Sequence, residues 1–124
     1  MALKRPTDTE LAILRVLWTR GPSTVRQVAE TLDRAVGYTT VLKLLQIMTD
    51  KGLVIRDESS RTHIYQAASS EDDTQRQLVN DLVERAFDGS AAKLVLHALA
   101  SKKASPQELD EIRKLLNKAR GGSR

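Results

Sequence analysis

The stretch from Gly37 to Gly52, GYTTVLKLLQIMTDKG, restricts what this chain can fold into more than any other part of it. Val41, Leu44, Leu45 and Met48 recur at i, i+3, i+4 and i+7, the spacing that gathers them into one apolar stripe on a helix. Thr39, Thr40, Lys43, Gln46 and Asp50 fall on the other face, with Leu42 and Ile47 on the flanks. Adjacent β-branched threonines are mediocre helix formers, so helix propensity does not account for them. Short hydroxyls, an amide and one cation near a helix N-terminus are side chains that a DNA major groove accepts. The plainer alternative is a solvated face with a threonine near the cap, and the neighbouring segments bear on the choice.

Upstream, Thr7 to Glu10 reads TDTE, a capping box in which the first Thr and the Glu satisfy each other's free backbone donors. The spacing predicts a helix from there to about Thr19, with Leu11, Leu14 and Leu17/Trp18 on its buried face. Gly21-Pro22-Ser23 stops it. Thr24 with Gln27 offers a second capping box, and Val25, Val28, Ala29 and Leu32 repeat with helical period to about Asp33. A short connection, Arg34 to Gly37, leads into the opening stretch. Three short helices, the last two joined by a tight turn, make a helix-turn-helix.

Gly52 ends the third helix as a C′ glycine should. Leu53–Arg56 and His63–Ala67 are β-branched and aromatic runs flanking the polar Asp57–Arg61, which predicts a β-hairpin wing. Two strands alone are marginal, so the wing is expected to pack on the helices through Leu53, Ile55 and Tyr65.

The character then changes. Residues 1–67 hold ten Lys/Arg and seven Asp/Glu, residues 71–88 two and six, and residues 89–124 eight and three, within a net charge of +4. This distribution is compatible with a polyanionic partner without demanding one. Ser70 with Asp73 marks a capped start, and Leu78, Val79, Leu82, Val83, Ala86 and Phe87 form a wide stripe. Phe87–Ser90 is a break. Ala91–Ala100 is nearly all apolar apart from Lys93 and His97, so that helix needs cover on most sides. Ser105–Glu108, SPQE, combines an N-cap Ser, Pro at N1 and Glu at N3, and Leu109, Ile112, Leu116 and Ala119 continue the helix until the glycines at 121 and 122 fray it.

Two domains follow: a winged helix-turn-helix over 1–68 and a helical dimerisation domain over 69–124. The second carries more apolar surface than so small a unit buries alone, and pairing with a second copy across a two-fold axis is the economical solution. Folding back on the first domain is the competing arrangement. The residues expected at the interface are Leu82, Phe87, Leu94, Leu96, Leu99, Ile112 and Leu116.

Composition removes other classes. Aromatics are only 3% of the chain, so the core is built from Leu, Val, Ile and Ala, which suits helices. No segment approaches the roughly 18 consecutive apolar residues that cross a bilayer. The N-terminus is too short and polar for a secretory signal, and without Cys there is no disulfide, thiolate metal site or redox thiol. A cytoplasmic protein with no membrane partner is expected. No cofactor, no metal and no catalytic constellation are expected either: there is no Gly-rich phosphate loop and no HExxH, and the two histidines, His63 and His97, lie in different modules. His97, on an apolar helix, reads as a core histidine.

In order and spacing, ELAILRVLW, PSTVRQVAETL, YTTVLKLLQIMTDKGLV, RTHIYQA, FDGSAAKLVLHAL and PQELDEIRKLLNK together resemble the BlaI/MecI/CopY family of bacterial winged-helix repressors over nearly the whole chain. The resemblance implies a homodimer that binds a palindromic operator in double-stranded DNA and represses genes of the β-lactamase or related resistance type. It implies DNA contacts at Thr39, Thr40 and Lys43, with Gln46 one turn further, and a basic wing residue at Arg61 with Arg56 beside it. In chemical terms Lys43 and Gln46 reach base edges, Thr39 and Thr40 meet phosphate or a thymine methyl, and Arg56 and Arg61 clamp phosphates, with His63 a weaker candidate. Leu42 stands where some relatives carry Arg, so base readout there is either lost or replaced by an apolar contact to a thymine methyl. Some members are inactivated by a signalling protease at an Asn–Phe bond, and that partner or another inducer protein is implied. The equivalent bond here is His97–Ala98, so the resemblance does not by itself imply the same cleavage. Copper-responsive members use cysteine motifs, which this chain lacks. A second class of reading remains open: a winged-helix module whose Thr/Lys/Gln face and wing bind another protein, without sequence-specific DNA binding.

Overall fold

The computed structural model describes residues 5–32 and 36–121. The connection expected from Arg34, the second helix's end at Asp33 and the fraying beyond Gly121 lie outside them. Among the described residues the order is α1 (Asp8–Arg20), α2 (Val25–Thr31), α3 (Tyr38–Lys51), β1 (Val54–Asp57), β2 (Ile64–Ala67), α4 (Glu71–Ala86), α5 (Ala91–Ser101) and α6 (Pro106–Gly121). The fold is mainly α with a small β-hairpin, a winged helix followed by three more helices. By compactness the chain divides inside α4, with a first unit through Val79 and a second from Asn80.

Local chemistry sets the helix starts. Both expected capping boxes form: Thr7 Oγ1 accepts from Glu10 N–H at 3.2 Å while Glu10 accepts from Thr7 N–H at 2.9 Å, and Thr24 and Gln27 repeat the exchange. Ser105 and Glu108 make a third reciprocal pair, and Ser70 and Ser90 cap α4 and α5 from one side. Each such cap contributes about 1 kcal/mol. Gly52, at φ 82°, closes α3 in the left-handed conformation and donates to Met48 and Thr49 carbonyls. That is the backbone geometry a β-carbon would strain.

In the first unit the core gathers Ile13, Leu14, Leu17, Val28, Val41, Leu45, Met48, Val54 and Tyr65. Val41, Leu45 and Met48 of the opening stripe are each 0% exposed, while Leu44 is half-buried. Two expectations need correction. On α1 the buried face is centred on Ile13, Leu14, Val16 and Leu17, whereas Leu11 and Trp18 are only partly covered. Trp18 sits at the rim because its Nε1–H donates to the Ser69 carbonyl at 2.9 Å. In the wing, Val54 is buried and Ile55 is half exposed, because a two-residue period lets only one of two neighbours face inward.

The hairpin pairs Val54 with Ala67, Ile55 with Gln66, Arg56 with Tyr65 and Asp57 with Ile64, antiparallel. A second pairing ties it to the helices: Ser23 and Tyr65 exchange N–H···O bonds of 2.9 and 2.8 Å. The wing is thus a three-stranded patch at one point, which a lone hairpin needs for stability.

One buried polar residue stands out. Glu10 is 2% exposed and accepts two hydrogen bonds from Lys51 Nζ, at 2.8 and 3.0 Å. Burial pushes its carboxyl up, but the hydrogen bonds from Lys51 and Thr7 outweigh that and hold it below the ordinary 4.5. A carboxyl depressed in the folded state stabilises fully above its unfolded value, and this contribution disappears as pH falls through the folded one. Melting temperature is therefore expected to decline as pH drops below about 4.5, with a shallower acid limb in Glu10→Gln. Identical acid limbs in thermal melts would contradict the assignment.

In the second unit, α5 and α6 have no buried residue at all. Leu96 is 67%, Leu115 65% and Leu116 57% exposed in the single chain. The expected core position of His97 is not met there: it is exposed, with its ring centroid 5.6 Å from that of Phe87. Cover for α5 does not come from this unit of one chain. Among the described residues no helix is long and apolar enough to cross a membrane.

Candidate nucleic-acid interface

Burying Val41, Leu45 and Met48 leaves α3 only one way to face. At about 100° per residue, Thr39, Thr40, Lys43 and Gln46 share an arc of about 120° on the opposite side. All four are exposed. Asp50 lies on the same side near the C-terminal end, so phosphate is repelled there and the N-terminal half of the helix is the half suited to a polyanion.

The wing stands beside that half. Asp57 Oδ1 accepts the Ser59 N–H at 2.9 Å, which folds the tip and holds the Asp57 carboxyl below the usual carboxylate range. Arg61 is exposed and makes no ion pair among the described residues, and the same holds for Lys43. Arg56 differs. Its Nε donates to Glu58 at 2.6 Å, and the Tyr65 phenol and the Glu58 carboxylate together raise its guanidinium above the ordinary value. A phosphate contact by Arg56 has to displace an exposed ion pair, which is worth only about 0–1 kcal/mol.

Between the two elements runs an open groove of about 490 Å³, lined by Thr24, Val25, Arg26, Tyr38, Leu42, Arg61, Thr62, His63 and Tyr65. No acidic residue lines it. Arg26, on the first turn of α2, lies 5.9 Å from the centroid of the Tyr38 ring, itself 49% exposed. The stacked guanidinium keeps its donors available and loses less side-chain freedom than a solvated one. Sequence reasoning missed Arg26 and Tyr38, because nothing in a linear pattern brings the start of α2 beside the start of α3 and the wing. The signal was an arginine just inside one capping box and a tyrosine opening the next helix. The groove gathers Arg61 and His63 with them, while Thr39, Thr40, Lys43 and Gln46 form the adjoining helix face and Arg56 belongs to neither.

Positively charged walls, hydroxyls and an exposed helix face with an amide, a lysine and two threonines are groups that can meet a phosphodiester backbone with base edges beyond it. No group of three or more His, Cys, Asp and Glu that could hold a metal ion occurs among the described residues.

Comparison with known proteins gives the same direction. Residues 6–118 match the model of the penicillinase repressor family. The transcriptional regulator BlaI of Mycobacterium tuberculosis (strain CDC 1551 / Oshkosh) is 34% identical over 97% of this chain and 88% of its own length. The methicillin resistance regulatory protein MecI of Staphylococcus aureus (strain N315) is 19% identical over 90% and 93% of the two chains. The penicillinase repressor of Bacillus licheniformis is 21% identical over 89% and 88%. Among solved structures, a transcriptional regulator of Thermotoga maritima superposes with a TM-score of 0.51 at 18% identity, covering 95% of this chain and 80% of that one, a likeness of fold.

Proposed function

This chain belongs to the penicillinase repressor family of DNA-binding transcriptional repressors, which are not enzymes, and from that premise we propose how it acts. Two copies, joined through their C-terminal helices, bind a palindromic operator and block transcription of resistance genes of the kind that the relatives' names denote. The 1–68 unit reads DNA and the 69–124 segment dimerises. The protein works in the cytoplasm.

The observation that carries this reading is the division of α3 into a stripe whose Val41, Leu45 and Met48 are wholly buried and an exposed Thr39/Thr40/Lys43/Gln46 face, flanked by the cationic groove. Lys43 and Gln46 address base edges, since both are long enough to reach from the helix to the groove floor. Thr39 and Thr40 meet the adjacent backbone or a thymine methyl. Arg61 and Arg26 neutralise phosphates on either side of the groove, and Arg56 joins them by exchanging Glu58 for phosphate. The apolar faces of α5 and α6, exposed on one subunit, support the pairing of two copies through Leu82, Phe87, Leu94, Leu96, Leu99, Ile112 and Leu116. A two-fold dimer then presents two α3 helices to half-sites about 34 Å apart. The inducer is a second protein, a protease or other sensor partner, acting elsewhere than at His97–Ala98.

The test is binding to a palindromic duplex and its scrambled counterpart over a salt series. Affinity is expected to fall steeply with salt. Lys43→Ala should lose about 1–3 kcal/mol of discrimination at one base position of each half-site, while Arg61→Ala and Arg26→Ala should weaken both duplexes alike and each lower the salt slope by about 2, one phosphate contact per copy. Equal affinity for both duplexes would overturn the repressor reading in favour of a protein-binding module.

A further inference from the structure

We infer that Lys51 is a positioning residue for the reading face of α3, setting the tilt of that helix through the buried carboxylate of Glu10. The inference rests on the reading of α3 as the base-contacting helix.

Lys51 is the last residue of α3 and immediately precedes the left-handed Gly52 that turns the chain into the wing. It lies 41 residues from Glu10, yet its ammonium meets both carboxylate oxygens, at 2.8 and 3.0 Å. An N3 glutamate in a capping box is ordinarily a surface group that needs one partner, the N-cap N–H. Here it is 2% exposed and takes a second partner from another helix. A buried carboxylate without a cation is costly, so the pair is not casually exchanged with water.

The pair fixes something the core does not. Val41, Leu45 and Met48 hold α3 against α1 and α2, but apolar contact is non-directional and tolerates small tilts. The Lys51 ammonium, donating to both Glu10 oxygens at 2.8 and 3.0 Å, instead ties the end of α3 to one point on α1. With Leu45, at the centre of the buried stripe, as fulcrum, Lys51 and Thr39 each lie six residues away, about 9 Å on opposite sides. A displacement of about 1 Å at the Lys51 end therefore reappears as about 1 Å at Thr39. Hydrogen bonds to base edges have a distance window of only about 0.5 Å, so a shift of that size decides whether bases are read. Phosphate attraction, which is long-ranged, barely notices it. Lys51 thus governs discrimination between sequences without touching DNA.

The double variant Glu10→Gln with Lys51→Met tests this, because it removes the pair while leaving no unpaired buried charge and keeping the capping box. The expected result has three parts. The operator-to-scrambled affinity ratio falls about tenfold or more. Affinity for the scrambled duplex and its salt slope stay at wild-type values. In the protein without DNA, the backbone amide shifts of Thr39, Thr40 and Lys43 move. Lys51→Arg, which keeps the pair with Glu10, restores the ratio and the shifts. An unchanged ratio with unmoved amide shifts would reduce the pair to a stabilising contact and overturn the proposal. A salt slope lowered by about 2, one contact per copy, would do the same, by making Lys51 a phosphate ligand. If the wild-type protein shows no preference between duplexes, the repressor reading fails on its own, and the amide shifts still decide whether the Glu10–Lys51 pair sets the helix.

Discussion

Replacing Leu96 with Asp is expected to turn the protein into monomers and to lower operator affinity by at least two orders of magnitude. Leu96 is 67% exposed on the single chain, and α5 has no buried residue, so the substitution removes little packing within one chain. The winged unit keeps its separate core and should melt as before. At an interface the same change acts twice, once per copy. Each copy loses the burial of a Leu side chain, about 1.5–3 kcal/mol, and has to bury a carboxylate among apolar side chains. Losing the dimer loses the linkage between half-sites, which multiplies affinity by about 10² to 10⁴ without any new contact. Sedimentation should report a particle near the 13.8 kDa of one chain, alongside intact far-ultraviolet dichroism of the winged unit. A variant that still sediments as a dimer, with operator affinity unchanged, places the interface elsewhere.

The second large effect is on stability. Tyr65→Ala is expected to cost about 3–5 kcal/mol, as large aromatic truncations in cores do. Among the described residues Tyr65 is the largest fully buried side chain, 1% exposed. Its backbone holds the wing to the Ser23 turn by two hydrogen bonds and pairs with Arg56 on the outer strand. A domain of this size is stable by only about 5–15 kcal/mol, so the loss is a large share of the total and lowers the melting point by on the order of 10–40 °C. Ile55→Ala, one residue along from the buried Val54, should change stability by far less, because Ile55 is half exposed. Thermal melts of the two variants settle the wing's facing. If Ile55→Ala proves the costlier, the wing is turned over relative to its assigned register.

The contrast between these positions shows where sequence reasoning was strong. Helix starts were readable because a capping box closes over three residues: Thr7 with Glu10, Thr24 with Gln27 and Ser105 with Glu108 all form as their spacing predicts. The α3 stripe was readable because a period of 3.6 sustained over two turns has one solution. The wing was harder. Its strands are four residues long, and Leu53-Val54-Ile55 is apolar without alternation, so the residues themselves do not say which neighbour faces in. Expecting Ile55 inside was wrong by one residue, and in a strand one residue is the whole difference between core and solvent.

The site divides along the same line. That Thr39, Thr40, Lys43 and Gln46 share an exposed face follows from the helix period and the burial of its opposite side. That Arg26 stacks on Tyr38, that Arg61 and His63 close the same groove, and that Arg56 is engaged by Glu58 depends on how α2, α3 and the hairpin meet.

By itself the sequence determined the elements, their caps and the polar face of α3, because those are decided by interactions reaching three or four residues along the chain. Only the tertiary structure decided that Val54 rather than Ile55 enters the core, that a cationic groove opens beside α3, and that Glu10 reaches Lys51 across 41 positions. Those contacts join residues distant in sequence, and no local period or spacing encodes which distant partners packing will bring within 3 Å of each other.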